Sequence, residues 1–332
     1  MSILFLDGCQ FNAALSEKGW TTTGSVAHST STARTGNRSI RMGGTVTVGA
    51  LSKTLASSYN TLSLACGVYK ASFGAGANIT LLDSSGGTQL TLAIAASTGA
   101  ISLYRGTTGG TLLGTGGTLP AATWSHLEIN ATIDDSAGAV DVYFDGALVI
   151  SVSGVDTKNT AVAGARTIRF DGPASSNGYF YTDDVIISDS YSQIGPAIIQ
   201  TLYPTGAGAT TQWTPSAGAN YAAVDETTGD GDTTYVSTST LNNIDTYGFG
   251  DLNANSGAVL AVAVNVVGRA DGGGAPEVTP VLRPGSTDRL GTAVIQTAAY
   301  ANSQSIWETN PDGGSWTEAA VNASEAGMKK TV

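Results

Sequence analysis

The sequence predicts an all-β protein, and three observations carry that prediction. Hydrophobic residues make up 41% of the 332 residues and charged residues only 12%, the reverse of the composition that keeps a chain unfolded. Glycine contributes 43 residues, and with the abundant Thr, Ser and Asn it suits turns and the wet faces of strands. Apolar and polar residues alternate with a period of two, and turn signals recur about every ten residues, as in a sandwich of antiparallel sheets. A chain of this length forms one large or two medium β domains, either of which buries a substantial core.

The opening MSILFLDGCQF is apolar for only a few residues and has no basic stretch, so it reads as a first strand and not as a signal peptide. Alternation then marks strands at Ile40 and Met42, at Leu62, Leu64, Cys66 and Val68, and over residues 79–82, 90–94 and 101–104. Turns such as Asp83-Ser84-Ser85-Gly86-Gly87 and Ser97-Thr98-Gly99 separate them. Residues 124–148 carry the clearest signal. Leu127, Ile129, Ala131 and Ile133 share one face while His126, Glu128 and Asn130 take the other, which predicts a half-buried strand with a polar face toward solvent. After the turn at Asp134-Asp135-Ser136-Ala137-Gly138, Val140, Val142 and Phe144 point inward, and Asp145-Gly146 predicts a type I′ hairpin turn. Strands over 167–170 and 179–188 complete the series.

At residues 190–196 the pattern breaks, with Gly195-Pro196 as the breaker pair, which predicts a first domain over 1–190, a linker over 191–197 and a second, smaller β-rich domain over 198–332. In the second domain residues 258–267 form a near-continuous apolar, β-branched run, the pattern of a strand buried on both faces. Residues 278–283 are its expected neighbour. One short helix is predicted near the C-terminus: Ser315 and Glu318 fit a capping box, residues 319–326 are mostly good helix formers, and Gly327 can end it. Residues 328–332 then return as a final strand.

A net charge of −11 argues against nucleic acid as a partner, because phosphate binding needs a clustered positive field, and no Lys/Arg run exists. No apolar stretch approaches the roughly 20 residues that span a bilayer, so a soluble chain without membrane insertion is expected. Cys9 and Cys66, the only cysteines, read as two buried free thiols, with a single disulfide as the alternative.

Catalytic signatures are missing. No G-x-S-x-G, H-E-x-x-H, G-x-x-x-x-G-K-[ST] or G-x-G-x-x-G occurs, and only His28 and His126 are available as imidazole bases. Glycoside hydrolysis needs two carboxylates roughly 5–10 Å apart. Glu128 has no partner of that kind in sequence, and the adjacent pairs Asp183-Asp184 and Asp134-Asp135 carry side chains that diverge on a strand or sit on a turn. The chain is therefore expected to be no enzyme and to need no cofactor. Asp225, Glu226, Asp230 and Asp232 form the best Ca²⁺ candidate, since Ca²⁺ takes several carboxylate and carbonyl oxygens; a solvated turn is the simpler reading because the EF-hand order of ligands is absent. Trp213, Tyr221, Tyr235 and Tyr247 lie in loop-rich sequence with Phe249, where they could stack on a sugar as ligand-binding residues. The competing reading, favoured by the scarcity of other large side chains, makes them the core of the second domain.

In WSHLEINATIDDSAGAVDVYFDGALVI and the closing YTDDVIIS, the first domain resembles the concanavalin A-like, laminin G-like jelly roll over residues 1–190. The E-x-D-x-E array of that fold's glucanases is absent here, so the resemblance implies fold and not activity. The pieces WTPS-x-G-x-NY, D-x-DTTYV and W-x-x-A-x-VNA-x-E-x-G make residues 195–332 similar to a module of virion structural proteins from tailed bacteriophages and prophages. That resemblance implies a non-enzymatic tail-fibre, tail-tip or head-decoration component on the virion exterior, assembled in the host cytoplasm. Its implied partners are capsid or tail proteins, a homo-oligomer with a trimer as the expected state, and a host-surface glycan. A capsid-decorating protein without a ligand and, further off, a polysaccharide-degrading enzyme are the alternatives.

Overall fold

A computed structural model of the chain describes residues 2–44, 48–72, 75–175, 178–253 and 257–332. Strands dominate throughout, and the chain divides into two compact units. The first comprises Met1–Gln10 and Gly19–Ile199, the second Phe11–Lys18 and Gln200–Val332. Residues 191–197, read from sequence as a linker, are hydrogen-bonded into the first unit, and Phe11–Lys18 belongs with the second.

The first unit is a jelly-roll sandwich of two antiparallel sheets. The eight-stranded sheet runs Ala147–Val155, Gly138–Phe144, Trp124–Thr132, Thr61–Lys70, Tyr179–Ser188, Ser39–Gly43 and Val26–Ser29, with Ile3–Asp7 also paired to Tyr179–Ser188. The seven-stranded sheet runs Thr111–Thr118, Ala100–Arg105, Thr88–Ile94, Ala77–Leu82, Ala165–Asp171, Ala50–Tyr59 and Trp20–Thr23. Alternation sends Leu62, Leu64, Cys66, Val68, Leu127, Ile129 and Val142 of the first sheet, and Leu51, Ile79, Leu81, Leu92, Ile168 and Phe170 of the second, into a shared buried core. Trp20 packs edge-on against Phe5 at 5.3 Å and Phe170 at 6.4 Å, joining the two sheets. Asp145 and Gly146 both have positive φ, 47° and 85°, and close a two-residue turn that sets Phe144 opposite Ala147, as the hairpin signal requires. Cys9 and Cys66 are buried thiols with no disulfide between them, and burial pushes the Cys66 thiol up to about 12, which favours its protonated form.

The Trp124–Thr132 strand departs from its predicted half-burial. His126 is 2% exposed, Glu128 0% and Asn130 1%, so the polar face is as dry as the apolar one. The reason is tertiary: residues 190–199 lie across this face, pinned by Ser63 Oγ donating to the Ser190 carbonyl and by Ile194 and Gly195 N–H donating to Glu128.

In the second unit a six-stranded sheet runs Pro204–Thr211, Ile244–Phe249, Glu325–Lys330, Glu277–Arg283 and Arg289–Leu290, with Val294–Ile295 also paired to Glu277–Arg283. The Glu277–Arg283 strand is the deeply buried one, and its neighbour is Glu325–Lys330. The apolar run at 258–267 gives instead the strand Val262–Gly268, which pairs with Ala301–Trp307 in a two-stranded sheet and is only partly buried. Among the described residues it has no second partner, so period-two packing of Val264 against Leu282, Trp316 and Ala326 replaces burial on both faces.

The helix is shorter than predicted, Glu318–Asn322, and its cap is Thr317, whose hydroxyl accepts from Ala320 N–H. Residues 325–327, assigned from sequence to its last turn and to a C-terminal glycine, instead begin the strand Glu325–Lys330, which takes in most of the expected final strand and is paired on both sides. Gly327 is needed there for space: a Cβ would sit 1.9 Å from the Asp245 carbonyl oxygen. Two flanking ladders outweigh the weak helical preference of a short segment. Among the described residues no helix is long and apolar enough to cross a membrane.

Candidate functional site

The outer face of the eight-stranded sheet divides into a covered part and an open part. In the covered part, Asp183 and Asp184 straddle a bulge at which Asp184 has φ 50°. The bulge overturns the expected divergence of their side chains and turns both toward the loop around Arg34. Asp183 Oδ2 accepts from Arg34 and Thr35 N–H at 2.9 and 3.3 Å, while Asp184 accepts from Arg34 Nη1 at 2.9 Å, Thr35 Oγ1 at 2.8 Å and Ile199 N–H at 2.9 Å. Arg34 also donates to the Ala197 carbonyl at 2.7 Å, so one guanidinium joins the Arg34 loop to residues 190–199. Burial, reinforced by the Asp184 charge, raises the Asp183 carboxyl to about 7. Glu128 Oε1 and Oε2 receive Ile194 and Gly195 N–H at 2.7 and 3.0 Å. Asp184 and Glu128 clamp the covering chain, Asp183 holds the Arg34 loop, and the oxygens of all three are engaged by protein donors.

The open part lies at the end of the same face. Strand register places Trp124 opposite Tyr69, Tyr69 opposite Tyr181, and Tyr181 opposite Arg41, a single row across four neighbouring strands. Tyr69 meets Trp124 at 5.5 Å and Tyr181 at 5.3 Å between centroids. Tyr179 stands 6.1 Å from Tyr181, and the Arg41 guanidinium lies 4.7 Å above the Tyr179 ring. Tyr181 is the floor, 5% exposed, whereas Trp124, Tyr69, Tyr179 and Arg41 remain partly open to solvent. The Arg34 loop borders the row, its side-chain stem lying against Gly67, where a Cβ would approach Arg34 Cδ to within 2.4 Å. Stacked rings with a cation at one end can hold the apolar face of a ring-shaped, hydroxyl-rich ligand.

A second surface, a cleft of about 480 Å³ on the seven-stranded sheet, is lined by Val48, Asn78, Arg169 and Asp171 among others. Its two charges answer each other, Arg169 Nε donating to Asp171 at 2.7 Å.

The sequence-derived candidates lie in the second unit. Tyr247, 3% exposed, forms a core cluster with Val278 and Met328, and Trp213 and Tyr221 pack against it together with Phe249. Tyr247 is core, while Trp213 and Tyr221 are half-buried against it. Tyr235 is the exception at 42% exposed. Asp245 organises this core: it is fully buried and accepts from Gln212 and Trp213 N–H, Asn220 Nδ2 and the Tyr247 hydroxyl. The acidic quartet does not converge. Glu226 and Asp230 each bring an oxygen within 2.6 Å of the Thr234 hydroxyl, which can donate to one of them at a time, Asp232 faces Arg269 and Tyr300, and Asp225 is exposed. Among the described residues no group of three or more His, Cys, Asp or Glu is placed to hold a metal ion.

Sequence reasoning passed over Trp124, Tyr69, Tyr179, Tyr181 and Arg41. Two signals were present: Trp124 is in phase with the polar residues His126 and Glu128, and Tyr69 is out of phase with Leu62, Leu64, Cys66 and Val68.

No protein-family model and no curated protein matches the chain. Solved structures do. A protein of unknown function with a galectin-like fold from Bacillus subtilis aligns at TM-score 0.43 and 9% identity, covering 58% of this chain and 98% of that one. A carbohydrate esterase from the Shiga toxin-encoding bacteriophage phi24B aligns at TM-score 0.40 and 12% identity, covering 55% and 98%. A carbohydrate binding module from Bacillus subtilis aligns at TM-score 0.36 and 13% identity, covering 51% and 94%.

Proposed function

We propose that the chain is a non-enzymatic component of a tailed-phage virion, displayed on the particle exterior, whose first unit holds host-surface glycans on the row Trp124, Tyr69, Tyr179 and Arg41. The observation that carries the glycan reading is that row: large rings placed side by side by strand register and left partly open on a protein surface. Partly open aromatic faces offer apolar contact to a sugar ring while its hydroxyls stay hydrated. The non-enzymatic reading is supported by Glu128, whose two oxygens are held by Ile194 and Gly195, and by the burial of His126 beside it. Ring stacking calls for no cofactor. The virion reading rests on the sequence pieces in residues 195–332 and carries with it capsid or tail partners and a homo-oligomer, a trimer by expectation.

A panel of immobilised bacterial polysaccharides and oligosaccharides tests the binding. Wild type is expected to bind at least one, and Trp124→Ala or Tyr69→Ala to weaken that binding about tenfold, the scale of one lost aromatic contact. Binding that survives both substitutions moves the site elsewhere. Retention on purified capsids or tails with no saccharide bound would make the chain a decoration protein, and release of sugars from a polysaccharide would make it an enzyme.

A further inference from the structure

The row is not chemically uniform. At one end Trp124 and Tyr69 present rings; at the other Arg41 lies over Tyr179. Arg34, Arg105, Arg169, Arg269, Arg283 and Arg289 each pair with an Asp carboxylate within 3.0 Å. Arg41 has no such pair among the described residues, though its charge is felt at the Tyr181 hydroxyl. Asp183 and Asp184, two and three residues along the strand from Tyr181, are committed to Arg34 and Thr35. A guanidinium stacked on a ring keeps its N–H edge free, and that edge matches a carboxylate in a two-point contact.

We propose that this row takes an acidic oligosaccharide, with the carboxylate of one sugar on Arg41 and the rings of others on Tyr69 and Trp124. The inference rests on the glycan reading above and names the class of glycan. Neighbouring strands are about 4.8 Å apart, so Trp124 and Arg41, three strand spacings apart, are separated by roughly 14 Å. A single hexose ring does not bridge that distance, and the ligand is therefore a short chain crossing the strands. The net charge of −11 repels a long polyanion, which confines the attraction to this local contact. The shared ligand chemistry is a pyranose bearing a carboxylate, whether from a uronate or a sialate.

Titration calorimetry on the full chain tests it with three probes: a galacturonate trimer, its carboxyl-reduced neutral counterpart, and a sialylated trisaccharide. At least one acidic probe is expected to bind about tenfold tighter than the neutral one, the scale of one charge-assisted contact, and which one binds identifies the source. Arg41→Gln should bring the acid-to-neutral ratio to about one. Arg41→Lys should restore part of it, since a point charge remains without the fork. Trp124→Ala should weaken acidic and neutral binding by the same factor. Equal affinity for acidic and neutral probes, or a preference that Arg41→Gln leaves intact, overturns the acidic class and leaves the glycan reading standing. Absence of binding by all three probes at millimolar concentration overturns the inference; retention of wild type on the polysaccharide panel would show the broader reading surviving it.

Discussion

The aromatic residues of the two units sit in opposite settings. In the first unit Trp124, Tyr69 and Tyr179 belong to regular strands yet stay partly exposed, because alternation puts them on the outer face of a sheet beyond the reach of its covering chain. In the second, Trp213 and Tyr221 from loop-rich sequence are half-buried against Tyr247 of the Ile244–Phe249 strand, because Asp245 gathers the backbone of Gln212 and Trp213, the Asn220 amide and the Tyr247 hydroxyl around one carboxylate. Position in a loop does not imply exposure, and position in a strand does not imply burial. What decides is whether another part of the chain lies on top.

The contrast is broken most severely at Asp245. Asp245→Ala removes the buried acceptor shared by Gln212 and Trp213 N–H, the Asn220 amide and the Tyr247 hydroxyl and should cost the second unit about 3 kcal/mol or more, read as accelerated amide exchange at Trp213. Protection unchanged at that amide would show that the carboxylate does not hold this core together. Tyr247→Ala comes next, at about 3 kcal/mol by denaturant unfolding, as for other large buried rings. A loss below about 1 kcal/mol would mean the ring is not core, since exposed sites fall in that range.

Glu128→Gln sharpens the comparison within the first unit, at the covered end of the face. Ile194 and Gly195 each donate to a different carboxylate oxygen, and the Gln NH2 replaces one of those acceptors with a donor, so a loss of about 1–2 kcal/mol is expected, with faster exchange at Ile194 or Gly195. Asp183 gives a pH signature. Its carboxyl is raised to about 7 in the folded unit from an ordinary value of 3.8, so the folded state holds the proton more tightly than the unfolded state does. Stability should therefore fall as pH rises through the interval from about 4 to 7, and Asp183→Asn should flatten the profile there. Asp134 works the other way: backbone N–H from Ala137 and Ser136 lower it, so its contribution is lost only as pH falls below the ordinary carboxylate value. A wild-type melting temperature constant between pH 5 and 8 would contradict the assignment to Asp183. Trp124→Ala closes the series with the smallest effect on folding, about 1 kcal/mol or less for a partly exposed ring, while its effect on saccharide binding is the larger one.

Much of the first sandwich was legible in the sequence. Period-two alternation located its central strands, and Asp145-Gly146 named its turn, because both signals act within a few residues. The candidate site was half legible: Trp124 and Tyr69 stood on the polar phase of their strands, but their meeting depends on strands far apart in sequence being laid side by side. The Glu128 carboxylate could be seen to lack a carboxylate partner nearby in sequence, yet its actual partners, two backbone amides of residues 194 and 195, leave no side-chain signature. The Asp183 and Asp184 pair misled because regular alternation sends neighbours to opposite faces, and the bulge at Asp184 breaks that rule locally.

The sequence by itself determined what depends on short range: an all-β chain, the phase of each strong strand, and the main turns. Tertiary structure alone decided which polar face stays wet, which aromatics become core, and where a helical stretch yields to a strand. Those outcomes depend on desolvation by distant segments, residues 190–199 over Glu128 and the neighbouring strands beside Gly327, and local propensity carries no information about what will cover it.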